Sequence, residues 1–340
     1  GLGFAGISLS LYMANKGHYV TGIDLDQDLI KGLKRKSLRI VEPGLKNILN
    51  STINSKNFIP QTSSAETCIN YVITVGSPLK KDGKPNLNQI KNVCHSIGKK
   101  IKGGELIILR STLPFETSSM VCVPILNKES NLIAGIDYNL AFCPERVVEG
   151  QALKELEILP QLVGGFTIEC ESRAVKFWQQ FCKLVIPMNG VDAAELAKLA
   201  CNTYRDLTFA FANELALLCE KKNIDARKMI QALNEGYPRG NIPLPSPGVG
   251  GYCLTKDPYL IGFTPKGNKN GAILGKVGRK INEKIAFLPD QKLINFCKKF
   301  HLVMCDLNIL IVGLAFKGLP ENSDLRGSLS IEFLNRIKKK

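Results

Sequence analysis

Gly1-Leu2-Gly3-Phe4-Ala5-Gly6, followed by an apolar run over 7–14 and then Gly17-His18-Tyr19-Val20-Thr21-Gly22-Ile23-Asp24, is the stretch whose reading decides the fold. It is a G-x-G-x-x-G turn opening a helix, then a strand, with an acid at the strand's end. Such glycines permit a tight turn and close approach of a pyrophosphate, while the helix N-terminus offers N–H groups and the positive end of its dipole. Asp24 lies near the ~20-residue offset at which a carboxylate accepts hydrogen bonds from an adenosine ribose, favouring NAD and repelling the extra phosphate of NADP. Gly1, Gly3, Phe4, Ala5, Gly6 and Asp24 are the expected cofactor contacts, and NAD the expected cofactor. The fingerprint normally follows a hydrophobic strand, so the first strand of this sheet is expected to be missing from a sequence trimmed at its start.

Strand and helix signals then alternate to about Pro187. Tyr71-Val72-Ile73-Thr74-Val75-Gly76-Ser77-Pro78, Leu106-Ile107-Ile108-Leu109-Arg110-Ser111-Thr112 and Leu140-Ala141-Phe142-Cys143-Pro144-Glu145-Arg146 read as buried strands of a parallel sheet with covered faces. Each ends in polar or small residues, where ligands collect in open sheets. A long helix is expected from 193 to about 222. Lys198 and Asn202, four apart, share one of its faces, for which solvent exposure is the plain alternative to chemistry. Its apolar surface exceeds what one small domain buries, so a homodimer or higher homo-oligomer is expected. A lysine- and glycine-rich stretch over 266–270 precedes another helix. Asn308-Ile309-Leu310-Ile311-Val312-Gly313-Leu314-Ala315-Phe316-Lys317-Gly318 reads as the opening of a second nucleotide-binding unit, close to the last residue. The expected organisation is α/β: a Rossmann-like NAD-binding domain over 1–190 without its first strand, a central helical and dimerisation domain over 191–300, and a truncated second Rossmann-like domain over 301–340.

Gly248-Val249-Gly250-Gly251-Tyr252-Cys253-Leu254-Thr255-Lys256-Asp257-Pro258 places one thiol in a glycine loop with a charged pair beyond it. Glycines let a carbonyl approach, and a lysine three residues on lowers a thiol's pKa toward the attacking thiolate. The bland alternative is a turn whose cysteine is a small buried hydrophobe.

Composition narrows the classes. Of 340 residues, 44% are hydrophobic and 22% charged, as in a soluble globular enzyme. No stretch approaches the ~18 apolar residues of a membrane span and no signal peptide precedes the glycines, so a cytoplasmic protein is expected. Eleven cysteines without C-x-x-C pairs fit a reducing compartment, and the three histidines have no metal-ligand spacing, so no metal is expected. The net charge of +15 comes from lysines spread along the chain without interleaved aromatics. That argues against nucleic acid and for a basic surface whose field attracts a nucleotide diphosphate.

Taken in order, Gly1 to Gly6, Glu42-Pro43-Gly44-Leu45, Arg110-Ser111-Thr112, Cys143-Pro144-Glu145-Arg146, Glu195-Leu196-Ala197-Lys198 with Asn202-Thr203-Tyr204-Arg205, Asn213-Glu214, the cysteine loop, and Phe316-Lys317-Gly318 through Asp324-Leu325-Arg326-Gly327-Ser328 resemble the signatures of the UDP-glucose/GDP-mannose dehydrogenase family. The resemblance covers essentially the whole chain. It implies four-electron, NAD-dependent oxidation of a nucleotide sugar's 6-hydroxymethyl group to a carboxylate through a cysteine thioester. Carried over, Cys253 is the nucleophile, Lys198 and Asn202 hold the oxyanion, Asp257 supports proton transfer with Lys198, and Glu145 assists hydrolysis through a water held by Thr112. Ser77 and Thr112 join the cofactor contacts. Glu145, Arg146, Lys198, Asn202, Arg239, Gly250, Lys317 and Arg326 would meet the sugar nucleotide. The motifs around Glu145 and Pro238-Arg239 resemble the branch acting on UDP-N-acetylhexosamines, especially UDP-N-acetylmannosamine, whose uronates serve polysaccharide biosynthesis. Lys256 before Asp257 is closer to UDP-glucose 6-dehydrogenases, and a truncated or degenerate homologue without turnover is the third expectation. Tyr252 stands where the branch often has histidine, Glu116 where a glycine is usual, and Ser77 where threonine is common.

Overall fold

The computed structural model describes residues 1–63, 67–267 and 272–338. Much of the lysine- and glycine-rich stretch and the last two lysines therefore lie outside the described residues. The chain divides into two compact units, one of Gly1–Leu199, Phe263–Asn268 and Pro320–Asn322, the other of Ala200–Gly262, Lys269–Leu319 and Ser323–Lys340.

The described residues of the first unit form seven strands: β1 (Val20–Ile23), β2 (Phe58–Gln61), β3 (Asn70–Ile73), β4 (Leu106–Leu109), β5 (Asn139–Phe142), β6 (Gln161–Gly165) and β7 (Val185–Pro187). Its helices are α1 (Phe4–Asn15), α2 (Gln27–Lys34), α3 (Leu45–Asn54), α4 (Asn88–Gly98), α5 (Val123–Ser130), α6 (Ala152–Ile158) and α7 (Ile168–Trp178). The described strands form a parallel pair, β1-β2, and a five-stranded sheet in the order β3-β4-β5-β6-β7. The strands expected to be parallel, β3, β4 and β5, are so, while between β5 and β6 the pairing is antiparallel, with Ala141 opposite Gly165. Mixed sheets arise readily where further strands are added beside a parallel core, because an antiparallel pair satisfies the same backbone groups.

The periodicities explain the packing. In β4, Ile107 and Leu109 enter one buried cluster with Ile90, Leu113 and Leu126, while Leu106 and Ile108 enter another with Leu9, Val163 and Trp178. Alternation sends successive side chains to opposite faces, so a strand covered on both must be apolar throughout. Helix α1 is apolar on more than one side for a related reason. Ile7, Leu11 and Ala14 pack with Leu45, Leu49 and Phe58, whereas Leu9, Tyr12 and Met13 face the cluster around Trp178.

Helix α8 (Val191–Glu220) carries the chain into the second unit, which also holds α9 (Ala226–Asn234), α10 (Asp257–Leu260), α11 (Ile273–Ile285), α12 (Leu288–Lys299) and α13 (Leu329–Ile337). The strand expected in 308–318 is not formed. That segment is irregular, and Leu310 and Val312 are 87% and 84% exposed. An apolar pattern makes a strand only where a neighbour takes up its N–H and C=O groups. Among the described residues of this unit no strand does so. No described helix is long and apolar enough to cross a membrane.

Candidate active site

The nucleotide turn assembles as the fingerprint requires. Gly3 is the N-cap of α1, no side chain caps that helix, and no acid occupies its first turn, so its N–H end keeps its positive character. A Cβ on Gly6 would overlap the Gly1 carbonyl oxygen, and one on Gly1 would lie 3.1 Å from the Thr74 carbonyl oxygen. A Cβ on Gly3 would meet nothing within 4 Å. Gly1 and Gly6 thus close the turn, while Gly3 leaves it open to an approaching phosphate. Phe4 and Ala5 supply the first helical N–H groups.

Thr74 Oγ1 donates to the Gly1 carbonyl at 2.7 Å, and Asp24 accepts from Leu2 N–H at 2.7 Å and from Asp26 N–H at 3.0 Å. These bonds bring the turn, the tip of β1 and the residue following β3 together. Ser77, buried, donates through Oγ to the Thr112 carbonyl. The exposed glycine, uncapped helix and fixed carboxylate fit a dinucleotide.

A second group lies beyond β4 and β5. Arg110, buried, donates to Glu145 Oε2 from Nε at 2.9 Å and approaches it from Nη2 at 2.7 Å, donates from Nη1 to Gln161 Oε1 at 2.8 Å, and stacks on Trp178 with its guanidinium carbon 4.6 Å from the ring centroid. Val147 N–H donates to Glu145 Oε1 at 2.8 Å. Burial pushes the Glu145 carboxyl up, but Arg110, the Val147 N–H and Lys198 outweigh it and hold its pKa below the usual value. Lys198, buried on α8, donates through Nζ to the Glu145 carbonyl. Arg146 donates through Nη2 to the Pro160 carbonyl. From the sequence, Arg110 stands only within the Arg110-Ser111-Thr112 motif, without a role of its own. Its signal was an arginine immediately after a fully apolar strand, where only a buried anion justifies it. Glu116 adopts φ 64°, the left-handed region, at the position where relatives are expected to carry glycine.

In the second unit the cysteine loop folds back on a later segment. Gly248 and Gly251 have φ 113° and 86°, a Cβ on Gly250 would overlap the Gly327 carbonyl oxygen, and one on Gly251 would lie 2.6 Å from the Phe316 ring. Gly251 N–H donates to the Gly327 carbonyl at 3.1 Å. Only glycine satisfies both demands. Cys253 is exposed, and its carbonyl accepts from Lys256 and Asp257 N–H at 3.2 and 3.0 Å, so the thiol sits at the head of a tight turn into α10.

Asp257, fully buried, accepts from Asn202 Nδ2 at 2.6 Å and from Lys256 Nζ at 2.6 Å. The Lys256 charge is therefore offset within its own turn rather than directed wholly at the thiol. Lys256 Nζ and the Arg326 guanidinium carbon lie 5.2 and 5.1 Å from the centre of the Tyr252 ring, while Arg326 also grips Asp324 at 2.6 Å. Arg239, exposed, stacks on Tyr237 at 4.7 Å, and Lys317 lies over Phe316 at 5.4 Å.

The NAD binding domain of the UDP-glucose/GDP-mannose dehydrogenase family matches residues 1–182, and the family's central domain matches 192–284. The chain belongs to this family. It is an NAD-dependent nucleotide-sugar dehydrogenase, an oxidoreductase. It is similar to the UDP-N-acetyl-D-mannosamine dehydrogenase of Campylobacter jejuni, with 33% identity over 99% of this chain and 82% of that protein. The enzyme of the same name from Escherichia coli K12 is 31% identical over 99% and 81%. A solved UDP-D-ManNAc dehydrogenase from Pyrococcus horikoshii superposes with a TM-score of 0.92 and 29% identity, covering all of this chain and 80% of that one.

Proposed function

We propose that this dehydrogenase oxidises the 6-hydroxymethyl group of a UDP-N-acetylhexosamine, UDP-N-acetyl-D-mannosamine above all, to the uronate in four electrons through a thioester on Cys253. The observation that carries the reading is an exposed thiol at the head of a glycine loop whose backbone no other residue type could follow. An oxidation that stopped at the aldehyde would need no such nucleophile. Bound at the α1 turn through Gly1, Gly3, Phe4, Ala5, Gly6, Asp24, Ser77 and Thr112, NAD supplies the hydride acceptor for each of the two oxidations.

The residues divide the remaining work. Cys253 Sγ adds to the C6 aldehyde, forming the thiohemiacetal whose oxidation leaves the thioester. Lys198 and Asn202 stabilise the oxyanion, and the bond from Asn202 to Asp257 fixes its amide for that role. Water cleaves the thioester, releasing the carboxylate and returning the proton to sulfur. Glu145 accepts hydrogen from that water, with Thr112 holding it. The lowered pKa keeps Glu145 ionised through the working range at the expense of base strength. Asp257 supports proton transfer with Lys198. Arg146, Arg239, Gly250, Lys317 and Arg326 meet the sugar nucleotide, the guanidinium groups matching a diphosphate with forked donors.

The names of the relatives support the mannosamine substrate, while Lys256 beside Asp257 favours UDP-glucose as the second reading. Tyr204, Phe211 and Leu218, two turns apart on α8 and 70%, 52% and 55% exposed, support a homodimer. The test is a panel of UDP-N-acetylmannosamine, UDP-N-acetylglucosamine, UDP-glucose and GDP-mannose, followed by NADH absorbance. Two NADH per UDP-N-acetylmannosamine are expected, and one per sugar sinks the thioester reading.

A further inference from the structure

Behind the cysteine loop lies a buried polar network that takes no part in the chemistry assigned above. Arg279 on α11 is 2% exposed. Its Nη2 donates to the Val249 carbonyl at 3.0 Å, and its Nη1 to the Leu254 carbonyl at 3.2 Å and to Asp206 Oδ1 on α8 at 2.9 Å. Val249 and Leu254 bracket Cys253, so one guanidinium ties the entrance of the loop to its exit. Glu283 lies 3.5 Å from Nε on the solvent side.

A second chain of bonds secures the approach to the loop. Asn282 Nδ2 donates to the carbonyl and the carboxylate of Asp206, each at 2.9 Å, and Asn282 Oδ1 accepts from Asn213 Nδ2 at 3.0 Å. Asn213 Oδ1 in turn accepts from Ser246 N–H at 2.8 Å, and Ser246 Oγ donates to the Gly248 carbonyl at 2.6 Å.

We infer that Arg279 is the positioning residue of the nucleophile, clamping the loop through the Val249 and Leu254 carbonyls with the Asn282–Asn213–Ser246 chain as its second tether. The inference rests on Cys253 being the nucleophile. A loop with three glycines has many conformations available, and a covalent step requires its sulfur in one of them. Two backbone carbonyls and a carboxylate converge on Arg279, a set that a planar five-donor fork satisfies and a lysine ammonium does not match in geometry. Arg279 touches no substrate in this scheme, so its loss should change the reactivity of the thiol and kcat while leaving KM nearly unmoved.

The test uses the full chain with Arg279→Lys. The alkylation rate of Cys253 by iodoacetamide across pH is followed by mass spectrometry of its peptide, beside kcat, KM and thermal unfolding. A displacement of about 1 Å lowers turnover by roughly 10²-fold, so kcat should fall by about that factor with KM for the sugar nucleotide within about threefold. The Cys253 alkylation profile should shift in a variant that still unfolds cooperatively. A folded Arg279→Lys protein with the wild-type profile and kcat overturns the inference, and so does a parallel rise in KM. If Arg279→Lys does not fold, Asn213→Ala, which unties the second tether, carries the test. An unchanged Cys253 profile there overturns the clamp. Because alkylation is read without turnover, its outcome is separate from that of Cys253→Ser, whose retention of uronate formation would remove the nucleophile instead.

Discussion

The two glycine turns of this molecule solve different problems. In the first, Gly3 and Gly6 avoid the left-handed region, and their use is room: Gly6 admits the Gly1 carbonyl, and a Cβ on Gly3 would meet only open space. In the second, Gly248 and Gly251 have left-handed backbones and Gly250 and Gly251 are also pressed against 316–327. A dinucleotide is bound by exposed backbone and a helix end, which needs only absence of side chains. A nucleophile must be aimed, which needs a particular path of the chain.

The buried acids differ in the same sense. Glu195 in the first unit bonds Ser118 N–H at 2.8 Å and Oγ at 2.6 Å, and burial pushes its pKa up to about 8. Asp206 in the second unit is also raised by burial, to about 6, with Arg279 and Asn282 pulling it back. One acid is kept by being neutral, the other by being paired.

The comparison is most severely tested at sulfur. Cys253→Ser should lower uronate formation by at least about 10³-fold, because a hydroxyl of ordinary pKa cannot replace a thiolate. Mass spectrometry of the sugar product checks it, and uronate at the wild-type rate breaks the division of labour. Next come the glycines themselves. Gly251→Ala should cost about 1–3 kcal/mol in urea unfolding, since it forces a left-handed alanine against Phe316. Gly3→Ala should stay within about 0.5 kcal/mol of wild type while raising KM for NAD on the order of tenfold. Equal destabilisation by the two substitutions would erase the distinction between room and path.

Glu195 gives a pH signature. Its folded pKa of about 8 lies above the ordinary 4.5, so between these values the folded state holds a proton that the unfolded chain has lost. Stability from this group is therefore complete below about pH 4.5 and declines as pH rises toward about 8. Glu195→Gln should flatten that decline, gaining on the order of 3 kcal/mol at pH 8 relative to its own effect near pH 5. Chemical unfolding at the two values measures it, and an unchanged slope sinks the assignment. The smallest effect is expected at Glu116, whose φ of 64° puts a glutamate where the second turn's logic calls for glycine. Glu116→Gly should stabilise by about 0.5–1 kcal/mol, the relief of a left-handed side chain less the added freedom of glycine. Any loss in thermal unfolding contradicts it.

The legible parts of the sequence were those where one local demand determines residue type. The α1 turn, the apolar β4 and the cysteine loop each follow from spacing alone, because glycine, two-sided burial and a presented thiol leave few alternatives. The long helix was readable from its period to within two residues at either end. What could not be read depends on partners distant in sequence. The antiparallel β5–β6 pair is decided by which neighbour meets Ala141, and the apolar stretch 308–318 has strand composition without a strand beside it. Arg110 and Arg279 were given no role because an arginine shows its meaning only when the carboxylate or carbonyls it grips are known. Lys256 was read as a neighbour of sulfur and proved to be bound to Asp257.

The order of the chain gives the Arg279 contacts one more consequence. Synthesis produces residue 253 before residue 279, so a nascent polypeptide carries Cys253 for a time with no guanidinium to restrain its loop. Until α11 emerges and docks, no bond from Arg279 fixes the path of the loop that carries it. The aim of the thiol is therefore acquired late in synthesis, and the finished fold still leaves Cys253 exposed.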